Sequence, residues 1–254
     1  MMRPDVLICA GLDPSGGAGV IADVRVISDL GARPNGVVTA LTVQNTTGVS
    51  GFTPCDAEIV GHQLSFLLGD VEMKAVKLGM IGSLQIAKVI GDALNATGAS
   101  VVWDPVGGPT LGDAFHESFD EAVAALRPHL TLITPNVREL ALLAQMPVRD
   151  LASAEAAGRA LARRLETAVL VKGGHLDGDE AVDVLIHGDA RHEFRGPRLA
   201  TENVHGTGCA LSSAIAANLA LGRDLVVACR EAKRYVVERI ANPARPGRGA
   251  PSVM

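Results

Sequence analysis

The stretch DVLICAGLDPSGGAGVIADV (5–24) decides the fold: an apolar run, a loop crowded with glycine behind Asp13, and then a segment with helical spacing. A strand feeding a glycine-rich turn into a helix is one βα unit, and the chain repeats it. Apolar runs recur at GVVTALTV (36–43), KAVKLGM (74–80), SVVWD (100–104), LTLIT (130–134) and AVLVK (168–172). They look like parallel strands buried on both faces. Between them, segments 57–68, 83–96 and 153–165 carry helical spacing, the last with Ser153 as N-cap and Ala157, Leu161 and Leu165 on one stripe. Repeated βα units imply right-handed crossovers and an α/β fold, a three-layer α/β/α sandwich around a mostly parallel sheet.

The pattern changes after the sixth run. VDVLIHGDARHEFRGPRL (182–199) reads as a hairpin turning at Gly188-Asp189, an antiparallel edge on the parallel sheet. VHGTGCALSSAIAANLALG (204–222) then opens a long Ala-rich helix. No internal repeat or linker divides the chain, so residues 1–241 read as one domain and 242–254, rich in Pro and Gly, as a flexible tail.

Composition narrows the class of partner. With 23 Lys+Arg against 28 Asp+Glu among 254 residues, a net charge of −5, and aromatics at 3%, the chain offers neither a basic face nor a stacking platform for nucleic acid. No apolar run approaches the roughly 18 residues of a membrane span, and nothing reads as a signal peptide. Cys9, Cys55, Cys209 and Cys229 form no C-x-x-C pair and no Cys/His metal spacing. The expectation is a cytoplasmic protein with reduced thiols that binds a small molecule.

In open α/β sheets ligands bind at the carboxyl ends of the strands, and four strand exits here are unusual. GLDPSGGAG (11–19) lacks the Gly-Lys-Ser/Thr of a P-loop; its glycines either let a ligand approach the backbone, with Asp23 one to two helical turns on, or only make a tight turn. VHGTGCALS (204–212) places the amides of Gly206, Thr207, Gly208 and Cys209 before a long helix, where they can converge on an anion. That position favours thiolate at Cys209, unless the residue is only a compact buried hydrophobe. WDP (103–105) and TPNVREL (134–140) supply Asp104, Asn136 and Glu139 as oxygen ligands suited to Mg²⁺, with helix capping as the competing role for the last two. VKGGH (171–175) brings Lys172 to a strand end, either against a nucleotide phosphate or in solvent.

In this order and spacing, the segments AGLDPSGGAGVIADV, TALTVQNTTGV, VKLGMIG, WDPV, LITPNVREL, VLVKGGH and NVHGTGCALSSAIAA closely resemble the hydroxymethylpyrimidine/phosphomethylpyrimidine kinases of thiamine biosynthesis, in the ribokinase-like superfamily. The resemblance covers about residues 5 to 240. It implies ATP- and Mg²⁺-dependent phosphorylation of the hydroxymethyl group of 4-amino-5-hydroxymethyl-2-methylpyrimidine, in many members a second transfer onto the monophosphate, and a homodimer. Carried over, Asp23 and Gln44 would read the pyrimidine edge, with Ala18, Met80 and Val106 lining the pocket. Asp104 and Glu139 would lie near Mg²⁺ and the phosphates, and Lys172, His205, Thr207 and Asn136 around the nucleotide. Cys209 would be the base, within the anion hole of Gly206, Thr207 and Gly208.

Two departures matter. Many sugar kinases of the superfamily carry Asp where this chain has Cys209, which points to the pyrimidine and pyridoxal enzymes. GGPTLGDAF (107–115) lacks the family's Lys and Ser-Gly after WDPV and adds Asp113, and with no cation there to receive a second phosphate the expectation is a better kinase for the free pyrimidine than for its monophosphate, unless the amides of Gly107 and Gly108 or an Arg from elsewhere take that place. The competing readings are a pyridoxal or pyridoxine kinase on the same scaffold and a non-catalytic pyrimidine-binding module.

Overall fold

The computed structural model describes residues 3–106, 119–174, 176, 179–199 and 204–253. Among these residues, nine strands form one sheet in the order β3-β2-β1-β4-β5-β6-β7-β8-β9. They are β1 (Asp5–Leu12), β2 (Arg33–Asn45), β3 (Gly48–Pro54), β4 (Met73–Leu78), β5 (Ser100–Trp103), β6 (Leu130–Ile133), β7 (Ala168–Val171), β8 (Glu180–His187) and β9 (Ala190–Pro197). From β2 to β7 every pairing is parallel, and β3, β8 and β9 add antiparallel edges.

Each of the six runs read from the sequence is a parallel strand, and the predicted hairpin is β8–β9, with Gly188 at φ 59° in its turn. The sequence reading missed β3, the antiparallel partner of β2. Its residues are mostly exposed, so no buried apolar run announces it.

Side-chain alternation along the strands splits the core in two. From β1, Leu7 and Cys9 face α2 (Ala57–Leu68), α3 (Leu84–Leu94), α4 (Phe119–Leu126), α5 (Val137–Ala144) and α6 (Leu151–Leu165). Val6, Ile8 and Ala10 face α1 (Gly19–Asp29), α7 (Thr207–Ala220) and α8 (Leu225–Ala241). The result is the expected three-layer sandwich. The N-cap of α6 is Asp150 rather than Ser153: the Asp150 carboxylate accepts from Ser153 N at 2.7 Å, and Ser153 Oγ accepts from Asp150 N at 3.0 Å, a reciprocal capping box.

Strand β1 has β2 on one side and β4 on the other, so chain connections leave it in opposite directions. Residues 13–18 and Gly79-Met80 lie beyond the carboxyl ends of β1 and β4 at that switch point, the place where open α/β sheets bind ligands. The C-terminal stretch expected to fray is docked beside it. Ala244 pairs with Ser252, Ala250 N donates to Thr46 O at 2.9 Å, and His205 N donates to Pro251 O at 2.7 Å. Ser252 and Val253 are buried. Its backbone groups have partners in the β2–β3 turn and in the loop before α7, so Pro and Gly here shape a closely fitted strap.

Candidate active site

Three strand exits and one helix N-terminus build the site. Gly206, the N-cap of α7, has φ 84°, and a Cβ on it would stand 1.9 Å from Gly17 O. Only glycine lets these two loops approach so closely. Thr207, Gly208 and Cys209 form the first turn of α7, and Val204 to Cys209 are half-buried.

Against that turn lies a charged cluster. Lys172, just beyond β7, donates from Nζ to Asp104 Oδ1 at 2.7 Å, and Glu139 Oε2 is 3.8 Å from the same nitrogen. Both carboxylates are buried. A Cβ on Gly208 would lie 3.2 Å from Lys172 Nζ and 3.4 Å from Asp104 Oδ2, so glycine lets the helix N-terminus close on the ion pair. Burial alone would lower Lys172, but Asp104 and Glu139 hold its ammonium above the ordinary lysine value. Three residues drawn from separate strand exits thus meet beside the first turn of α7.

Glu139 has a second commitment. Its Oε2 accepts from Asn136 N at 2.7 Å, and Asn136 Oδ1 accepts from Arg138 N and Glu139 N at 2.9 and 3.0 Å. The capping role weighed for this pair is present, and it commits the Asn136 side-chain oxygen to the helix rather than to a nucleotide.

Two expected site residues have surroundings that the sequence did not show. Asp23 was expected to read the pyrimidine, but its carboxylate is fully buried on α1, accepting from Lys77 Nζ at 2.7 Å and from Ser213 Oγ at 2.7 Å. Burial raises Asp23, while Lys77 and Ser213 pull against it. Cys209 was expected to be acidic. Burial instead pushes its thiol up to about 11; Lys77 and a hydrogen bond from Gly19 N oppose that rise, and Asp23 and Asp104 add to it. Removal from water outweighs the helix N-terminus here.

Lys77, on β4, is a buried cation beside this cluster that sequence reasoning did not single out. Burial would drive it toward neutrality, but Asp23, Cys209 and Asp104 keep it well above the ordinary lysine value. Its signal was visible: a lysine inside the otherwise apolar run KAVKLGM.

The remaining predicted residues lie at neighbouring strand ends and loops. Gln44, half-buried on β2, has its Nε2 3.0 Å from His205 Nε2, and His205 Nε2 is 3.1 Å from Asp13 Oδ2. Ala18, the N-cap of α1, donates its N–H to Asp13 Oδ2 at 3.0 Å. Met80 Sδ would lie 3.1 Å from a Cβ on Gly11, and Val106 N donates to Asp104 O at 2.7 Å. His205 therefore sits with Gln44, while Lys172 sits with Asp104. The stretch 107–115 lies outside the described residues.

Known proteins resemble this chain in sequence and in fold. A family model described as phosphomethylpyrimidine kinase matches residues 13–254. The hydroxymethylpyrimidine/phosphomethylpyrimidine kinase of Rhizobium meliloti is 42% identical over 92% of this chain and 90% of its own length. The enzyme of that name from Escherichia coli is 37% identical over 95% and 92%. Among solved structures, a pyridoxal kinase from Staphylococcus aureus bound to ADP superposes with a TM-score of 0.92 at 26% identity, covering 100% of this chain and 94% of that one. A phosphomethylpyrimidine kinase from Clostridium difficile 630 does so with a TM-score of 0.80 at 32% identity, covering 94% and 100%.

Proposed function

The chain belongs to the phosphomethylpyrimidine kinase family, and on that premise we propose that it transfers the γ-phosphoryl group of ATP to the hydroxymethyl oxygen of 4-amino-5-hydroxymethyl-2-methylpyrimidine, and then to the resulting monophosphate. The carrying observation is the convergence of Asp104, Lys172 and Glu139 on the first turn of α7. Phosphoryl transfer asks a protein mainly for positioning and charge stabilisation, and a cation with a row of amides supplies both.

The donor set fits Mg²⁺. Asp104 and Glu139 already face a common cation, Lys172, and Mg²⁺ is commonly held by one or two carboxylates with phosphate oxygens and water completing its shell. Among the described residues no group of three or more His, Cys, Asp or Glu could hold a metal by itself. Bound there, the ion would neutralise charge on the phosphates. Lys172 would turn from Asp104 toward the same phosphates. In the transfer, the bond from the γ-phosphorus to the ADP oxygen breaks and one to the acceptor oxygen forms, while the hydroxyl proton passes to Cys209 Sγ. Because the resting thiol holds its own proton, that role falls to the thiolate minority, which Lys77 enlarges. Gln44, with one amide donor and one acceptor, suits an aminopyrimidine edge.

A second reading, a pyridoxal kinase, is favoured by the TM-score of 0.92 to the Staphylococcus aureus enzyme, one structure of which holds AMP-PCP and pyridoxal. Steady-state rates with the pyrimidine, its monophosphate and pyridoxal under the same ATP and Mg²⁺ decide the matter. The proposal expects the highest kcat/KM on a pyrimidine acceptor, and a higher value on pyridoxal overturns it. We further expect a cytoplasmic homodimer, checked by light scattering and fractionation.

A further inference from the structure

We propose that His205, clamped by Asp13, is a positioning residue that fixes which way round the Gln44 amide faces the acceptor. The proposal rests on the pyrimidine kinase reading and assigns His205 to the acceptor rather than to the nucleotide.

The argument is a count of donors and acceptors. As placed, Gln44 presents its Nε2 to His205 Nε2 at 3.0 Å and its Oε1 to Thr42 Oγ1 at 3.3 Å. Thr42 has one hydroxyl hydrogen, and Leu12 O takes it at 2.8 Å. An oxygen at the Thr42 position therefore meets a lone pair. His205 Nε2 is 3.1 Å from Asp13 Oδ2, an oxygen that also accepts from Ala18 N, while Asp13 Oδ1 accepts from Ser15 N and Oγ at 2.8 and 2.7 Å. Asp13 is buried; burial raises it, but its bonds from Ser15 and His205 prevail and leave it below the ordinary carboxylate range. An imidazole nitrogen beside a carboxylate carries the hydrogen, since a bare lone pair there would repel the charge. His205 Nε2–H then meets the Gln44 amide nitrogen, donor against donor.

One half-turn of the amide removes both conflicts. Gln44 Oε1 then accepts from His205 Nε2–H, which it shares with Asp13, and Gln44 Nε2 donates to the Thr42 hydroxyl oxygen. Each amide atom keeps one unused site: a lone pair on Oε1 and a hydrogen on Nε2. They are side by side, the complement of an exocyclic amine beside a ring nitrogen, which a 4-aminopyrimidine has. A 3-hydroxypyridine such as pyridoxal has no amine there. A fixed amide favours the aminopyrimidine, and a free one adapts to either. The imidazole is itself held, because its backbone N–H and C=O bond Pro251 and Val253 of the strap, and a Cβ on Gly17 would stand 2.6 Å from His205 Cδ2.

The test is a double-mutant cycle on His205→Leu and Gln44→Leu, with KM for ATP, KM for the pyrimidine, the pyrimidine-to-pyridoxal ratio of kcat/KM, and the pyrimidine Kd by calorimetry. His205→Leu is expected to weaken pyrimidine binding about tenfold, the order expected for one lost hydrogen bond to a buried polar group, to lower the pyrimidine-to-pyridoxal ratio, and to leave KM for ATP within about twofold. In the Gln44→Leu background the same change should have almost no effect on pyrimidine affinity. His205→Gln, which retains an N–H donor, should recover much of the loss. Additive effects in the cycle, or a rise confined to KM for ATP, overturn the proposal. If the wild type binds the pyrimidine without phosphorylating it, the function reading fails while the cycle is still read from Kd; if it binds no pyrimidine, both fail.

Discussion

Replacing Lys77 by methionine is the most demanding perturbation of this architecture. The lysine and Asp23 have no solvent exposure, and their charged atoms are 2.7 Å apart. Methionine matches the stem in length but leaves the Asp23 carboxylate buried with only Ser213 as donor. Breaking a buried pair by removing one partner typically costs about 3–5 kcal/mol. For a chain of this size, about 2–4 °C of melting temperature is lost per kcal/mol, so a fall of roughly 6–20 °C is expected by calorimetry. The function should suffer separately. Lys77 is a nearby cation that holds the Cys209 thiol down, and without it the thiol climbs further above about 11. Turnover at neutral pH should fall even where the variant remains folded. Adding Asp23→Asn removes the stranded charge while keeping an acceptor for Ser213, and should restore most of the stability without the turnover. A single variant within about 1 kcal/mol of wild type in urea denaturation, or a double variant no more stable than the single, would refute the buried-pair reasoning.

The site yields further expectations. If Cys209 takes the acceptor proton, kcat should rise about tenfold per pH unit from neutrality toward pH 11, because burial holds the thiol protonated below that value and the thiolate fraction grows as pH increases. Cys209→Ala should depress turnover and flatten that profile, and an unchanged slope in the variant removes Cys209 from the proton transfer. Gly206→Ala combines a φ of 84° with a Cβ 1.9 Å from Gly17 O, so a loss of more than about 2 kcal/mol in urea unfolding and of nearly all activity is expected. Gln44→Leu should raise KM for the pyrimidine about tenfold with KM for ATP unchanged, read from initial rates.

What the sequence made legible follows the range of the interactions involved. Strand runs and helical stripes are local periodicities, so β1, β2 and β4 to β7 could be read within a few residues, as could the glycine turns at their exits. Strand β3 could not, because an exposed edge strand carries no buried pattern. The placement of Asp104, Lys172 and Glu139 at strand ends was likewise local, and the topology then brought three exits together. The features that the sequence did not show share another cause. Whether Asp23 faces a ligand depends on Lys77, 54 residues away, and on Ser213, 190 away. The Cys209 thiol depends on how much water surrounds it, which no helix position reveals. The Pro- and Gly-rich end looks unstructured until the β2–β3 turn and the His205 loop supply partners for its backbone. In each case a polar group's behaviour was set by a distant partner. The charge pattern did hold a warning: Lys77 in an apolar strand has to be matched by a buried anion, and the helix beside β1 offered Asp23 among Val20, Ile21, Ala22 and Val24. Read as a pair, they would have shown the Asp23 carboxylate committed to Lys77 inside the layer that α1 and α7 form against the sheet.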